Sequence, residues 1–139
     1  MREQNVEFLE QYKRLDKLCK EMLDSNEGVS SYICEMETTP YETTAEISAW
    51  DTIYKQIKNF RWMRNQLVHE ISIDDDFCTK EDIDSIKKLY ELIVNTQDPL
   101  SIASRSKQND YYYSKNNTNS KNQDSVWNKI VSKIKGWLS

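Results

Sequence analysis

The sequence predicts an all-α protein, a bundle of four main helices followed by a tethered amphipathic helix. Three observations carry that reading. The 139 residues include only two glycines and two prolines, too few for a chain built from strands and tight turns. Residues that favour helix are frequent throughout. Apolar residues recur at spacings of three and four, the period of one helical face, and not at two. A chain of this length holds one domain with a modest core.

The first helix is expected from about Asn5 to Asp24, because Val6, Leu9, Tyr12, Leu15, Leu18, Cys19 and Met22 share one stripe. Ser25-Asn26-Glu27-Gly28 stops it, and Ser30 can cap a short second helix with Tyr32, Ile33 and Met36 on its apolar side. Pro40 and the threonines around it make a loop. The third helix starts near Ile47 or Ser48 and runs to about Val68, with Trp50, Ile53, Ile57, Phe60 and Leu67 in register and Ile71 beyond. A linker leads to Thr79-Lys80-Glu81-Asp82, a capping-box start in which the Thr79 hydroxyl and Asp82 carboxylate satisfy free amide donors. The fourth helix then buries Ile83, Ile86, Leu89, Tyr90, Ile93 and Val94 and ends at Asn95-Thr96-Gln97-Asp98-Pro99.

Composition divides the chain into a helical domain at 1–103, a linker at 104–124 and a terminal segment at 125–139. The linker is rich in Ser, Asn, Lys and Tyr, including Tyr111-Tyr112-Tyr113, and has little aliphatic surface to bury. In the terminal segment Val126, Trp127, Ile130, Val131, Ile134, Trp137 and Leu138 repeat at three and four, with Lys129, Lys133 and Lys135 on other faces. Such a basic amphipathic helix docks on protein, in the same chain or in another. Trp127, Ile130, Val131, Ile134 and Trp137 are the expected contacts. Three lysines and a short apolar face make a membrane surface a poor partner.

Charge is unevenly spread. Residues 1–100 carry 12 Lys or Arg against 21 Asp or Glu, whereas residues 101–139 carry seven against two. An acidic body disfavours non-specific binding along a nucleic-acid backbone, so RNA would have to be met at a local patch or by the basic C-terminal segment. Three scattered cysteines, Cys19, Cys34 and Cys78, suggest neither a disulfide framework nor a zinc site. Asp74-Asp75-Asp76 lacks the spaced ligands and glycine of a calcium loop and reads as solvated linker. No metal and no cofactor are expected. The sequence shows neither a secretory signal nor a membrane-length apolar run, which points to the cytoplasm.

The segment Phe60-Arg61-Trp62-Met63-Arg64-Asn65-Gln66-Leu67-Val68-His69 carries the chemistry. The apolar rhythm puts Arg64 where a core residue is expected. A guanidinium there needs an anion within the fold, a subunit interface or a cleft that accepts a phosphate. His69 is the one histidine of the chain. Asn65 and His69, four residues apart, stack on one helix face, while Arg64 and His69 are about 140° apart around an ideal helix. Arg61 and Trp62 are candidate RNA contacts, Trp62 by stacking on a base, although core is the simpler place for that indole.

Arg64-Asn65-Gln66-Leu67-Val68-His69, late in a long helix, resembles the Arg, polar residue, three residues, His signature of HEPN domains. The stretches Tyr12 to Cys19 and Asn95 to Leu100 are similar to short bacterial HEPN-like proteins of uncharacterised function, so the resemblance covers roughly residues 5–102. It implies a HEPN-like bundle and a homodimer with a composite site that cleaves RNA without metal, using Arg64, Asn65 and His69. Ile71 stands where HEPN proteins modified by a partner nucleotidyltransferase carry tyrosine, so the resemblance does not extend to that regulation. The chemistry is coherent: imidazole serves as acid or base near neutrality, and guanidinium matches phosphate geometry. A single histidine per chain requires a second protomer if imidazole is to play both roles.

The leading expectation is therefore a metal-independent endoribonuclease of toxin or defence type. Its rival is a non-enzymatic HEPN-like interaction protein, a regulator or inhibitor of mobile-element type, that engages a protein or nucleoprotein through its acidic body and C-terminal helix. In the structural alternative His69 merely closes its helix and Arg64 pairs with a carboxylate of the first helix.

Overall fold

A computed structural model of the chain describes residues 3–69 and 76–114, with side chains to residue 106. All six elements in the described residues are helical: α1 Glu3–Leu23, α2 Gly28–Thr38, α3 Tyr41–Thr44, α4 Trp50–His69, α5 Lys80–Val94 and α6 Pro99–Ser114. The all-α bundle expected from the sequence is what the chain forms, with α6 added to the four main helices. No described helix is long and apolar enough to cross a membrane.

Each long helix forms because one stripe of its surface is apolar. In α1 the buried residues Asn5, Phe8, Tyr12, Leu15, Cys19 and Met22 follow one another at three and four. That stripe makes α1 the hub, packed against α2, α4 and α5, while α2 also meets α4 and α6. Phe8 meets Phe60 of α4 edge to face, ring centres 6.2 Å apart, a favoured aromatic geometry. The core runs through Phe8, Leu15, Tyr32, Ile57, Ile86 and Leu89.

Three boundaries differ from expectation, each for a tertiary reason. The second helix starts at Gly28, two residues before Ser30, because Asp16 of α1 supplies the cap: its Oδ1 accepts from the Val29 amide at 2.8 Å. The helices touch there, and a Cβ on Gly28 would lie 2.1 Å from the Asp16 carbonyl oxygen. Pro40 opens the one-turn helix α3, and single turns closed by Ile47 and Trp50 amides delay α4 to Trp50. In α4 the buried row is Trp50, Ile53, Ile57, Phe60, Met63 and Leu67. Met63, not Arg64, fills the register between Phe60 and Leu67, so Arg64 does not interrupt the core stripe; it is half-buried on the neighbouring face.

The capping box at Thr79 forms: Asp82 N donates to Thr79 Oγ1 at 3.2 Å and Thr79 N to Asp82 Oδ2 at 2.9 Å. At the other end of α5, Gln97 N reaches Leu92 O at 2.8 Å and Thr96 N reaches Ile93 O at 3.0 Å. This paired closure puts Thr96 at φ 55°, left-handed backbone that disfavours a β-branched residue. Arg105 of α6 clamps it, donating to the Thr96 carbonyl at 2.6 Å. Asp98 then caps α6, accepting from the Ser101 amide. Helix α6 carries helical backbone through Ser114, into the segment 104–124. The rest of that segment and residues 125–139, with Trp127, Ile130, Val131, Ile134 and Trp137, lie outside the described residues, as do Asp74 and Asp75.

A candidate anion-binding groove

The rows flanking the core stripes of α1 and α4 face each other across the start of α2. On α1 the row is Leu9, Tyr12, Lys13, Asp16 and Lys20; on α4 it is Arg61, Arg64, Asn65 and Val68. Both follow helical spacing, so each row is one face of its helix. Between them lies a groove of about 550 Å³, closed on one side by Glu27, Gly28 and Ser30. Lys13, Lys20, Arg61 and Arg64 line it against two carboxylates, Asp16 and Glu27. That local excess of cations stands against a body whose first hundred residues carry nine more acids than bases.

The cations are held by different partners. Arg61 Nη1 donates to Ser30 Oγ at 3.4 Å, linking α4 to the first turn of α2. Arg64 Nη1 donates to Asn65 Oδ1 at 3.1 Å. The nearby carboxylate of α1, Asp16, spends one oxygen on the Val29 amide at 2.8 Å and the other on Lys20 Nζ at 3.3 Å. Tyr12 is nearly buried, 9% exposed. Burial, and secondarily Asp16, push its hydroxyl up to about 12 against the opposing pull of Arg64 and Arg61. At neutral pH it is therefore a hydrogen-bond donor and not a base. An open groove with guanidinium, ammonium and hydroxyl donors is suited to a phosphate group or another oxyanion.

The sequence-derived site residues fall into separate places. Arg64 and Asn65 come together and line the groove, joined by Arg61. His69 is the exposed last residue of α4 and is not part of the lining. It stands one turn beyond Asn65 and about 100° past Val68, the last α4 residue in the groove. Trp62 is not core: it is 53% exposed and packs on Phe77, ring centres 5.7 Å apart. The reason is angular, since Trp62 is about 100° around α4 from the core residue Met63 and shares the flank of exposed His69. Phe77 is held there because the Asn5 side-chain oxygen accepts from Phe77 N at 3.3 Å and Cys78 N at 2.9 Å.

Lys13, Lys20, Tyr12 and Ser30 join Arg61, Arg64 and Asn65 in the lining, a role that the sequence does not assign to them. The signal that would have found the α1 residues is the polar row beside its apolar stripe. The Ser30 hydroxyl accepts from Arg61 and does not cap α2. Elsewhere, Cys19 and Cys78 are buried free thiols whose ionisation burial disfavours, and Cys34 is an exposed one. Among the described residues, no group of three or more His, Cys, Asp or Glu side chains is arranged to hold a metal ion.

No curated protein and no solved structure matches this chain. A family model does, over residues 6–135, and it spans the groove, the rest of the bundle and most of the C-terminal segment. The chain belongs to the family of unknown function DUF6548.

Proposed function

We propose that this protein binds RNA phosphates in the α1–α2–α4 groove and acts in the cytoplasm as a HEPN-like, metal-independent endoribonuclease of toxin or defence type. The observation that carries the binding half is the concentration of Arg61, Arg64, Lys13 and Lys20 in one groove of an acidic body. The catalytic half rests on the resemblance of Arg64-Asn65-Gln66-Leu67-Val68-His69 to the HEPN motif. In the proposed reaction a ribose 2′-oxygen loses its proton and attacks phosphorus, and the bond to the 5′-oxygen breaks. That oxygen takes up a proton, leaving a cyclic phosphate and a 5′-hydroxyl. Arg64 stabilises the charge on the phosphorane and Asn65 orients it. His69 moves protons, with a second imidazole contributed by another copy in a homodimer.

The test is growth after induced expression in a bacterial host, comparing wild type with Arg64→Ala and His69→Ala at matched protein levels. Arrest with fragmented RNA, lost in both variants, is expected. A second reading is supported by the position of His69 outside the groove: a non-enzymatic interaction protein that holds an anionic partner, RNA or nucleoprotein, without cleaving it. It predicts no RNA fragmentation, binding lost in Arg64→Ala and binding intact in His69→Ala.

A further inference from the structure

A second groove, of about 670 Å³, opens at the other end of α2, where α3 leads into α4. Its chemistry is the reverse of the first. Nearly buried Ile47 and Trp50 form its apolar part, Tyr41 and Tyr54 its aromatic sides, and Glu37 and Asp51 its acidic edge. Helix α3 buries none of its residues, and Tyr41 is 80% exposed. Glu42 and Glu46, both exposed, flank the opening in sequence. An ammonium already sits at this edge: Lys58 Nζ lies 4.1 Å from the centre of the Tyr54 ring, whose hydroxyl donates to Glu37 Oε2 at 2.7 Å.

We infer that this groove is the docking site of the chain's own residues 125–139. Three features of the chain argue for that occupant. The segment has Trp127 and Trp137 for an aromatic slot, and Lys129, Lys133 and Lys135 with no acid among them for an acidic edge. It is tethered close by, because α6 packs against α3. The ten residues 115–124 that connect α6 to the segment can span at most about 35 Å when extended. The α1–α2–α4 groove, lined by four cations, repels the same segment, so charge assigns it to one face of the bundle and leaves the other open. Docking in the same chain is favoured by the high effective concentration that a short tether gives.

Cys34 provides the probe, being exposed and one turn from Glu37 on α2 while Cys19 and Cys78 are buried. A nitroxide on Cys34 of the full chain is expected to broaden the indole N–H resonances of Trp127 and Trp137. The broadening should be lost in the variant Lys129→Glu, Lys133→Glu, Lys135→Glu. It should return when Glu42→Lys, Glu46→Lys and Asp51→Lys are added, a rescue that general loss of structure does not produce. Absence of broadening in the wild type overturns the inference, as does its persistence in the lysine variant. So does broadening that reaches an isotope-labelled chain only from a separate spin-labelled copy, because the occupant is then a second molecule.

Discussion

Asp98 and Asp16 each accept from an amide in the first turn of a helix, and they do so in opposite surroundings. Asp98 begins α6 in the core, 0% exposed, and accepts from Tyr32 Oη at 2.6 Å, from Ser101 Oγ and from the Ser101 amide. Asp16 reaches from α1 to the start of α2 at the edge of the cationic groove, half-buried and shared between the Val29 amide and Lys20. One carboxylate is shielded from solvent and surrounded by protein donors; the other lies among cations that solvent screens. The difference separates a buried carboxyl group that holds the fold together through hydrogen bonds from charges left available for a ligand.

The largest effect should come from the buried cap. Asp98→Ala strands the Tyr32 hydroxyl and the first turn of α6, and should cost about 3 kcal/mol in denaturant unfolding. A cost no greater than that of Asp16→Ala would break the contrast. Protonation should separate the two sites as well. Burial raises the Asp98 carboxyl above its ordinary value, and burial with the adjacent carboxylate raises Tyr32. A raised folded-state value means that the stabilising contribution is complete below the unfolded value near 3.8 and is lost as pH rises through the folded value. The stability of wild type relative to Asp98→Asn should therefore decline as pH rises from 4, as read by unfolding at a series of pH values.

Next in size is Gly28→Ala. Its Cβ would meet the backbone oxygen of Asp16, which cannot rotate away, so α1 and α2 must part at a cost of about 2 kcal/mol. Thermal unfolding reads that cost, and an unchanged midpoint would show that the contact is not tight. Asp16→Ala should cost about 1 kcal/mol, the usual worth of a helix cap. It should also tighten binding of a single-stranded RNA probe, because a carboxylate leaves the groove. Weaker binding would mean that Asp16 orients the cations more than it opposes the ligand. Smallest in stability is Arg64→Ala, expected within about 0.5 kcal/mol of wild type. It should lower the slope of log affinity against log salt by about 1 for the same probe. An unchanged slope would remove Arg64 from the phosphate-binding surface.

Much of the bundle was legible because its signals are local. The three-and-four spacing of Tyr12, Leu15, Cys19 and Met22, and the Thr79–Asp82 capping box, lie within single segments and needed no partner to be recognised, whereas Phe8 and not Val6 completes the buried row. Arg64 and Asn65 were legible as neighbours on a helix. Their groove was not, because Lys13 and Lys20 reach it from a helix more than forty residues away in sequence, and no local pattern gives the angle at which α1 and α4 meet.

By itself the sequence determined that this chain is all helix, where most helices run, and that an acidic body is followed by a basic C-terminal segment. Tertiary structure alone decided that Met63 takes the core position beside Arg64, that Asp16 and not Ser30 caps α2, and that Trp62 packs on Phe77 outside the core. The physical reason is that helix periodicity is set by the backbone and repeats every 3.6 residues. Caps, grooves and charge clusters depend instead on the rotation and axial offset between packed helices, which the buried side chains of several segments fix together.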